Sequence, residues 1–180
     1  SLHKDYKIVE IGNRRSFTYR SLYFDTPEYD LYFLHQRGFK NRHKVRMRNY
    51  VESELFFFEV KIKHKGRTVK QRIPISNFSS SMNETMVGFY KDLLGEKSYS
   101  LAPKMTSVYK RLTLVAMDQS ERITIDYQLG FSLDNDSLVT VPNKIILELK
   151  QSGVNRNSKV YKLLRAKGIR PTGISKYCVG

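Results

Sequence analysis

The sequence predicts an α+β domain: an antiparallel β-barrel, or tunnel, with a basic lumen and flanking helices, filling residues 1–180 as one domain. Three observations lead there. The strand-like stretches follow one another through short polar turns, which favours antiparallel neighbours. The helical stretches are few and stand apart from the strands. Five strand-like stretches, Lys44–Arg48, Phe58–Lys63, Val69–Ile73, Arg122–Asp126 and Ile145–Lys150, put charge on one face and apolar side chains on the other, since alternate side chains of a strand leave opposite faces. A sheet of such strands carries a field of cations with a few carboxylates on its polar face. Like charges that close repel, so the arrangement calls for an anion among them.

The elements follow in order. Residues 16–26 (SFTYRSLYFDT) are rich in aromatic and β-favouring side chains and read as a strand ended at Thr26-Pro27. Residues 29–37 place Tyr29, Leu31, Tyr32 and Leu34 at helical spacing, with Gly38 as the stop. Residues 43–51 and 55–63 are strands joined by Glu52-Ser53-Glu54, and the tight turn His64-Lys65-Gly66 leads into a third strand at 67–75. Residues 79–94 carry Met82, Met86, Phe89, Tyr90, Leu93 and Leu94 on one helical face, a stripe that suits packing. Residues 107–117 and 121–133 are long strands around Asp118-Gln119-Ser120. A loop covers 134–142, a strand 143–150, a short amphipathic helix 160–167 stopped by Gly168, and a short apolar-basic tail 174–180. That makes seven strands and three helices, with no repeats and no linker.

The 180 residues carry 32 Lys+Arg against 17 Asp+Glu, a formal charge of +15. Such an excess favours an anionic partner: nucleic acid, a phosphorylated metabolite, polyphosphate or a membrane surface. A single cysteine, Cys178, excludes an intrachain disulfide and fits a cytoplasmic location. It has no histidine at metal-ligand spacing, and His3, His35, His43 and His64 are scattered. No apolar run is long enough for a transmembrane helix, and no signal peptide opens the chain. Ser1-Leu2-His3 lacks an initiator Met, so the residues are expected to be part of a longer protein with partner domains beyond them.

Alternation alone leaves two arrangements open, a tunnel with a charged lumen and an open sheet with charge facing solvent. Two details favour the tunnel. Glu59 and Glu148 share faces with Lys61 and Lys150, as in a built site. Arginine is prominent on the polar face at Arg46, Arg48, Arg72 and Arg122, and its planar fork suits phosphate oxygens. Aromatics interleave with basics at Phe17–Arg20 and Tyr109–Arg111, as in single-strand nucleic-acid platforms. No nucleic-acid motif accompanies them, so no specific nucleic-acid partner is expected.

An ordered set of segments carries a resemblance across nearly the whole chain. It comprises Ser21–Thr26, Arg46-Met47-Arg48, Phe58–Lys61, Val69–Arg72, Tyr109-Lys110-Arg111, Arg122–Asp126, Glu148-Leu149-Lys150 and Ser175-Lys176-Tyr177. The sequence resembles the VTC domain, the polyphosphate polymerase domain of the triphosphate tunnel metalloenzyme superfamily. The resemblance implies an eight-stranded tunnel that binds ATP, triphosphate or polyphosphate with Mn²⁺ or Mg²⁺. The γ-phosphate of ATP passes to a growing chain in the polymerase, and to water in triphosphatase relatives.

Position by position, the resemblance makes Arg46, Arg48, Lys61, Lys70, Arg111 and Arg122 the catalytic cations that grip phosphate. Arg72, Lys150, Ser175 and Lys176 join them as phosphate-binding residues. Glu148 is the expected metal ligand, with Glu59 beside it. Glu59 and Asp126 are secondary candidates for the metal or for orienting lysines, and an ion pair with a neighbouring strand's arginine is the structural alternative for each carboxylate. Asp25 reads as structural. Two departures stand out. The family has a further strand before SLYFDT, so this chain is expected to be truncated at its N-terminus. Gly173 occupies the place of a family lysine two residues before the serine, which bears on polymerase activity. A triphosphatase and a non-catalytic polyphosphate or inositol-phosphate module remain as alternatives.

Overall fold

The computed structural model describes residues 4–133, 136–153 and 155–179. Ser1-Leu2-His3 and the first two residues of the expected 134–142 loop lie outside the described residues. The described elements are β1 (Tyr6–Ile8), β2 (Ser16–Asp25), α1 (Asp30–Gln36), β3 (Arg42–Tyr50), β4 (Leu55–His64), β5 (Arg67–Ile75), α2 (Glu84–Leu94), β6 (Ala102–Ala116), β7 (Glu121–Leu133), β8 (Val139–Val141), β9 (Ile146–Gln151), α3 (Lys159–Ala166) and α4 (Lys176–Val179). A 3₁₀ turn at Val51–Ser53 joins β3 to β4.

All pairings are antiparallel, in the order β5-β4-β3-β2-β6-β7-β8. The 15-residue β6 outruns β2, and β1 takes the free end of the same edge at Leu114–Ala116. The 13-residue β7 likewise holds β8 near one end and β9 near the other. Among the described residues no pairing joins β5 to β8 or β9, so the sheet is open. The α+β antiparallel reading stands, while the closed barrel is not confirmed. The described residues form nine strands where the sequence shows seven. β1 and β8 are three residues each, too short for alternation to register, and β8 lies inside the expected loop.

The apolar face is covered by helices. Leu22, Phe24, Val45, Met47, Phe58 and Val60 pack under Met86 and Tyr90 of α2 and Leu31 of α1. Removing such a side chain leaves a cavity: Phe58→Ala costs about 3–5 kcal/mol. The expected helix over 79–94 begins at Glu84. The Asn83 side chain accepts from Met86 N–H at 3.0 Å and caps it there, while Ser79 and Ser81 bond each other in the approach. Ile123, Leu114, Ile125 and Leu149 form a second apolar surface under Val160 and Leu164 of α3. Among the described residues no helix is long and apolar enough to cross a membrane. The charged face carries a third buried cluster of its own, with Tyr23, Met105, Tyr109 and Phe131 packed with Tyr177 of α4.

Candidate functional site

Register assembles that face in rungs. Tyr23, Arg46, Glu59 and Arg72 lie side by side across β2, β3, β4 and β5. The next rung is Lys44, Lys61 and Lys70, with no carboxylate in it. Neighbouring cations about 5 Å apart repel by about 1–3 kcal/mol per pair at effective dielectrics between water and protein surface. The rung itself holds nothing that offsets this, and of its three lysines Lys70 is paired with Glu59 of the neighbouring rung.

Glu59 is the carboxylate of the first rung, and its side chain is 1% exposed. Its Oε2 accepts from Arg46 Nε and Nη2 at 2.8 and 2.7 Å, and its Oε1 meets Lys70 Nζ at 2.5 Å. Burial works against the carboxylate charge, but Arg46, Arg48 and Lys70 overcome it and hold the pKa down to about 2. Burial also opposes the Arg46 charge, and Tyr23 and Glu59 beside it outweigh that and raise its pKa. Tyr23 is the reporter of the local field. Burial pushes its phenol up, yet Arg46 and Arg48 pull it below its ordinary value. Burial brings Lys44 down to about 8, and it donates to Ser175 Oγ at 2.7 Å. Tyr23, Lys44, Arg46, Glu59 and Lys61 line a small pocket here.

A second network lies on β6, β7 and α4. Asp126, 2% exposed in its side chain, accepts from Arg111 Nε and Nη2 at 2.6 and 2.8 Å and from Lys176 Nζ at 2.5 Å. Burial opposes the Asp126 charge, but Arg111 and Lys176 keep its pKa below the usual value. Arg111 also rests on Tyr19 and Tyr109, whose rings stack at 5.4 Å. Arg48 is buried against Tyr19, and its Nε donates to Ser21 Oγ at 3.2 Å. It makes no ion pair among the described residues. α4 reaches this face through Tyr177, which stacks on Tyr23 at 5.0 Å and donates to Asp25 Oδ2 at 2.5 Å. Buried Asp25 also accepts from the N–H groups of Thr26, Leu31 and Tyr32 and so anchors the start of α1.

The sequence-derived candidates therefore divide. Arg46, Arg48, Lys70, Arg111, Ser175 and Lys176 engage in these networks, and Lys61 lines the pocket with its side chain open. Arg72 is exposed, with its guanidinium 4.3 Å from the Phe57 ring. Arg122 and Lys150 sit opposite each other on β7 and β9 and are also exposed. Glu148 is half exposed, 3.6 Å from Lys150 Nζ. Lys44, Tyr23 and Tyr177 belong to the site although sequence reasoning passed them over. Lys44 was legible, because it shares the face of Arg46 and Arg48. Tyr177 was not, since its contacts to Tyr23 and Asp25 are long-range.

Among the described residues no three His, Cys, Asp or Glu side chains gather as a metal cage. A hard cation shared with phosphate oxygens needs only one or two protein carboxylates, water completing its shell. Glu148 fits that role. Thr124, its cross-strand neighbour, has a buried hydroxyl without a partner among the described residues, an unused oxygen at the same register position. Glu59 has both oxygens engaged by cations, which suits it to orient Arg46 and Lys70.

The fold and this face define an antiparallel sheet domain that gathers cations on one side, some of them paired with buried carboxylates. The chain belongs to the VTC domain family, whose model matches residues 1–180. The domain family binds triphosphate substrates. A candidate adenylate cyclase from Bacillus halodurans has a similar fold, with a TM-score of 0.54 at 15% identity, covering 94% of this chain and 91% of its own. A conserved hypothetical protein from Pyrococcus furiosus aligns at TM-score 0.47 and 11% identity, over 94% of this chain and 82% of its own. No curated protein matches the sequence.

Proposed function

We propose that this domain binds a triphosphate or polyphosphate chain on its cationic face and transfers phosphoryl groups with a divalent metal, as a polyphosphate polymerase-like enzyme drawing on the γ-phosphate of ATP. The observation that carries this reading is the carboxylate-free rung Lys44-Lys61-Lys70 beside Arg46. Its repulsion is relieved when phosphate oxygens lie among the cations. Arg46 grips phosphate through the part of its fork that Glu59 leaves free, and Glu59 fixes the orientation of Arg46 and Lys70. Arg48, buried without a counter-ion, and Arg111, aimed by Asp126, extend the contact along the face. Phosphoryl transfer needs little covalent help, so positioned cations supply much of the stabilisation of the developing charge. Glu148 and Thr124 would hold Mn²⁺ or Mg²⁺, which when bound neutralises charge on the phosphoryl oxygens.

The test is to incubate the protein with ATP and Mn²⁺ and resolve the products. Long-chain polyphosphate supports the polymerase, and orthophosphate alone assigns a triphosphatase. Binding of triphosphate with no turnover assigns a non-catalytic module. Absence of triphosphate binding overturns all three.

A further inference from the structure

The meander β3-β4-β5 is electrostatically lopsided from end to end. At one end the β3–β4 connection carries Glu52 and Glu54. At the other, the loop before β3 and the β4–β5 turn carry Lys40, Lys63, Lys65 and Arg67, and the sequence has no Asp or Glu in 31–51 or 60–83. The two loops are tied together, with Lys65 N–H donating to Asn41 Oδ1 at 3.2 Å. The turn itself is a two-residue hairpin between paired His64 and Arg67, with φ of 45° at Lys65 and 83° at Gly66. Such a turn favours Asn, Asp or Gly at its first central position. A lysine there accepts backbone strain to place a cation at the tip. Lys63 shares the face of Lys61 and Glu59 and carries the cations from the pocket to the rim, while Arg67, paired with His64, leaves the opposite face at the tip.

We infer that this rim is a second binding segment for the polyanion, and that a linear inorganic polyphosphate leaves the pocket toward Lys63, Lys65 and Arg67 and not toward Glu54. The inference rests on the proposed phosphate-binding function and adds a direction and a length to it. From Glu59 to Lys63 is four strand residues, roughly 13 Å, so the track extends well past the Arg46 pocket. A linear polyanion that follows it meets cations over the whole distance, and one that turns the other way passes buried Arg48 and then meets Glu52 and Glu54. The consequence is selection for chains longer than a triphosphate.

The experiment compares tripolyphosphate with long-chain inorganic polyphosphate by calorimetry at one fixed salt concentration, using the whole chain. The wild type is expected to prefer the long chain. The triple variant Lys63→Gln, Lys65→Asn, Arg67→Gln is expected to lower the long-chain-to-triphosphate affinity ratio about tenfold or more, as loss of three phosphate contacts predicts. Asn suits the positive φ at position 65, so the fold is expected to tolerate the change. Glu54→Gln, at the other end, is expected to keep the wild-type ratio. Equal ratios in the wild type and the triple variant overturn the rim. No tripolyphosphate binding by the wild type overturns the pocket reading on which it rests, a separate result.

Discussion

Lys44 of β3 donates a 2.7 Å hydrogen bond to Ser175 Oγ across 131 residues of sequence. The bond fastens the segment before α4 to the cation rung, and the next residue, Lys176, reaches Asp126 on β7. The chain end is thus part of the site's floor plan, with Tyr177 stacked on Tyr23 beside it.

Burial lowers Lys44 to about 8, from an ordinary 10.5. Between those values the folded state has released a proton that the unfolded state keeps, so stability rises with pH across that window. Bound phosphate favours the charged form, so triphosphate affinity falls as pH rises through about 8. Lys44→Arg keeps its charge throughout and removes that inflection, while Lys44→Met weakens binding at every pH. Calorimetric titration from neutral pH to pH 10 checks this; the same inflection in Lys44→Arg counts against the assignment.

Glu59→Gln leaves Arg46 and Lys70 without their carboxylate. Breaking a buried pair of this kind costs about 3–5 kcal/mol. The folded pKa of about 2 lies below the ordinary 4.5. The ionised carboxylate therefore contributes its stability fully above pH 4.5 and loses it as pH falls toward 2. Denaturant unfolding at neutral and acid pH checks both, because the variant lacks that part of the acid limb.

Arg48 is buried without an ion pair among the described residues, which costs stability and keeps a guanidinium ready for an anion. Arg48→Gln is expected to be at least as stable as the wild type while binding triphosphate about tenfold or more weakly, the loss of one charge-assisted contact. Thermal melts and calorimetry on the same variant separate the two effects. A loss of stability with unchanged affinity places Arg48 in the packing alone.

Glu148→Ala is expected to abolish metal-dependent turnover while largely sparing triphosphate binding, because the side chain is half exposed and supports no packing. Turnover and binding measured in parallel with Mn²⁺ check it. Unchanged turnover removes Glu148 as the metal ligand.

Period-two alternation made β2, β3, β4, β5 and β7 legible, since each spans nine residues or more with coherent faces. It also placed Arg46, Glu59, Lys61 and Lys70 on one side of the sheet. β1 and β8 escaped it because three residues do not establish a period, and they exist as strands because β6 and β7 offer unpaired edges. The sequence offered an ion pair with some neighbouring strand's arginine as the alternative for Asp126, and the structure shows that arginine to be Arg111.

Sequence alone determined which side chains share a face, because strand geometry sends alternate residues to opposite sides whatever the surroundings. It equally determined the excess of positive charge. Tertiary structure decided which of those cations are neutralised, which stand free, and how the chain end joins them. Those outcomes depend on contacts between residues as far apart as Lys44 and Ser175, whose separation no local pattern encodes.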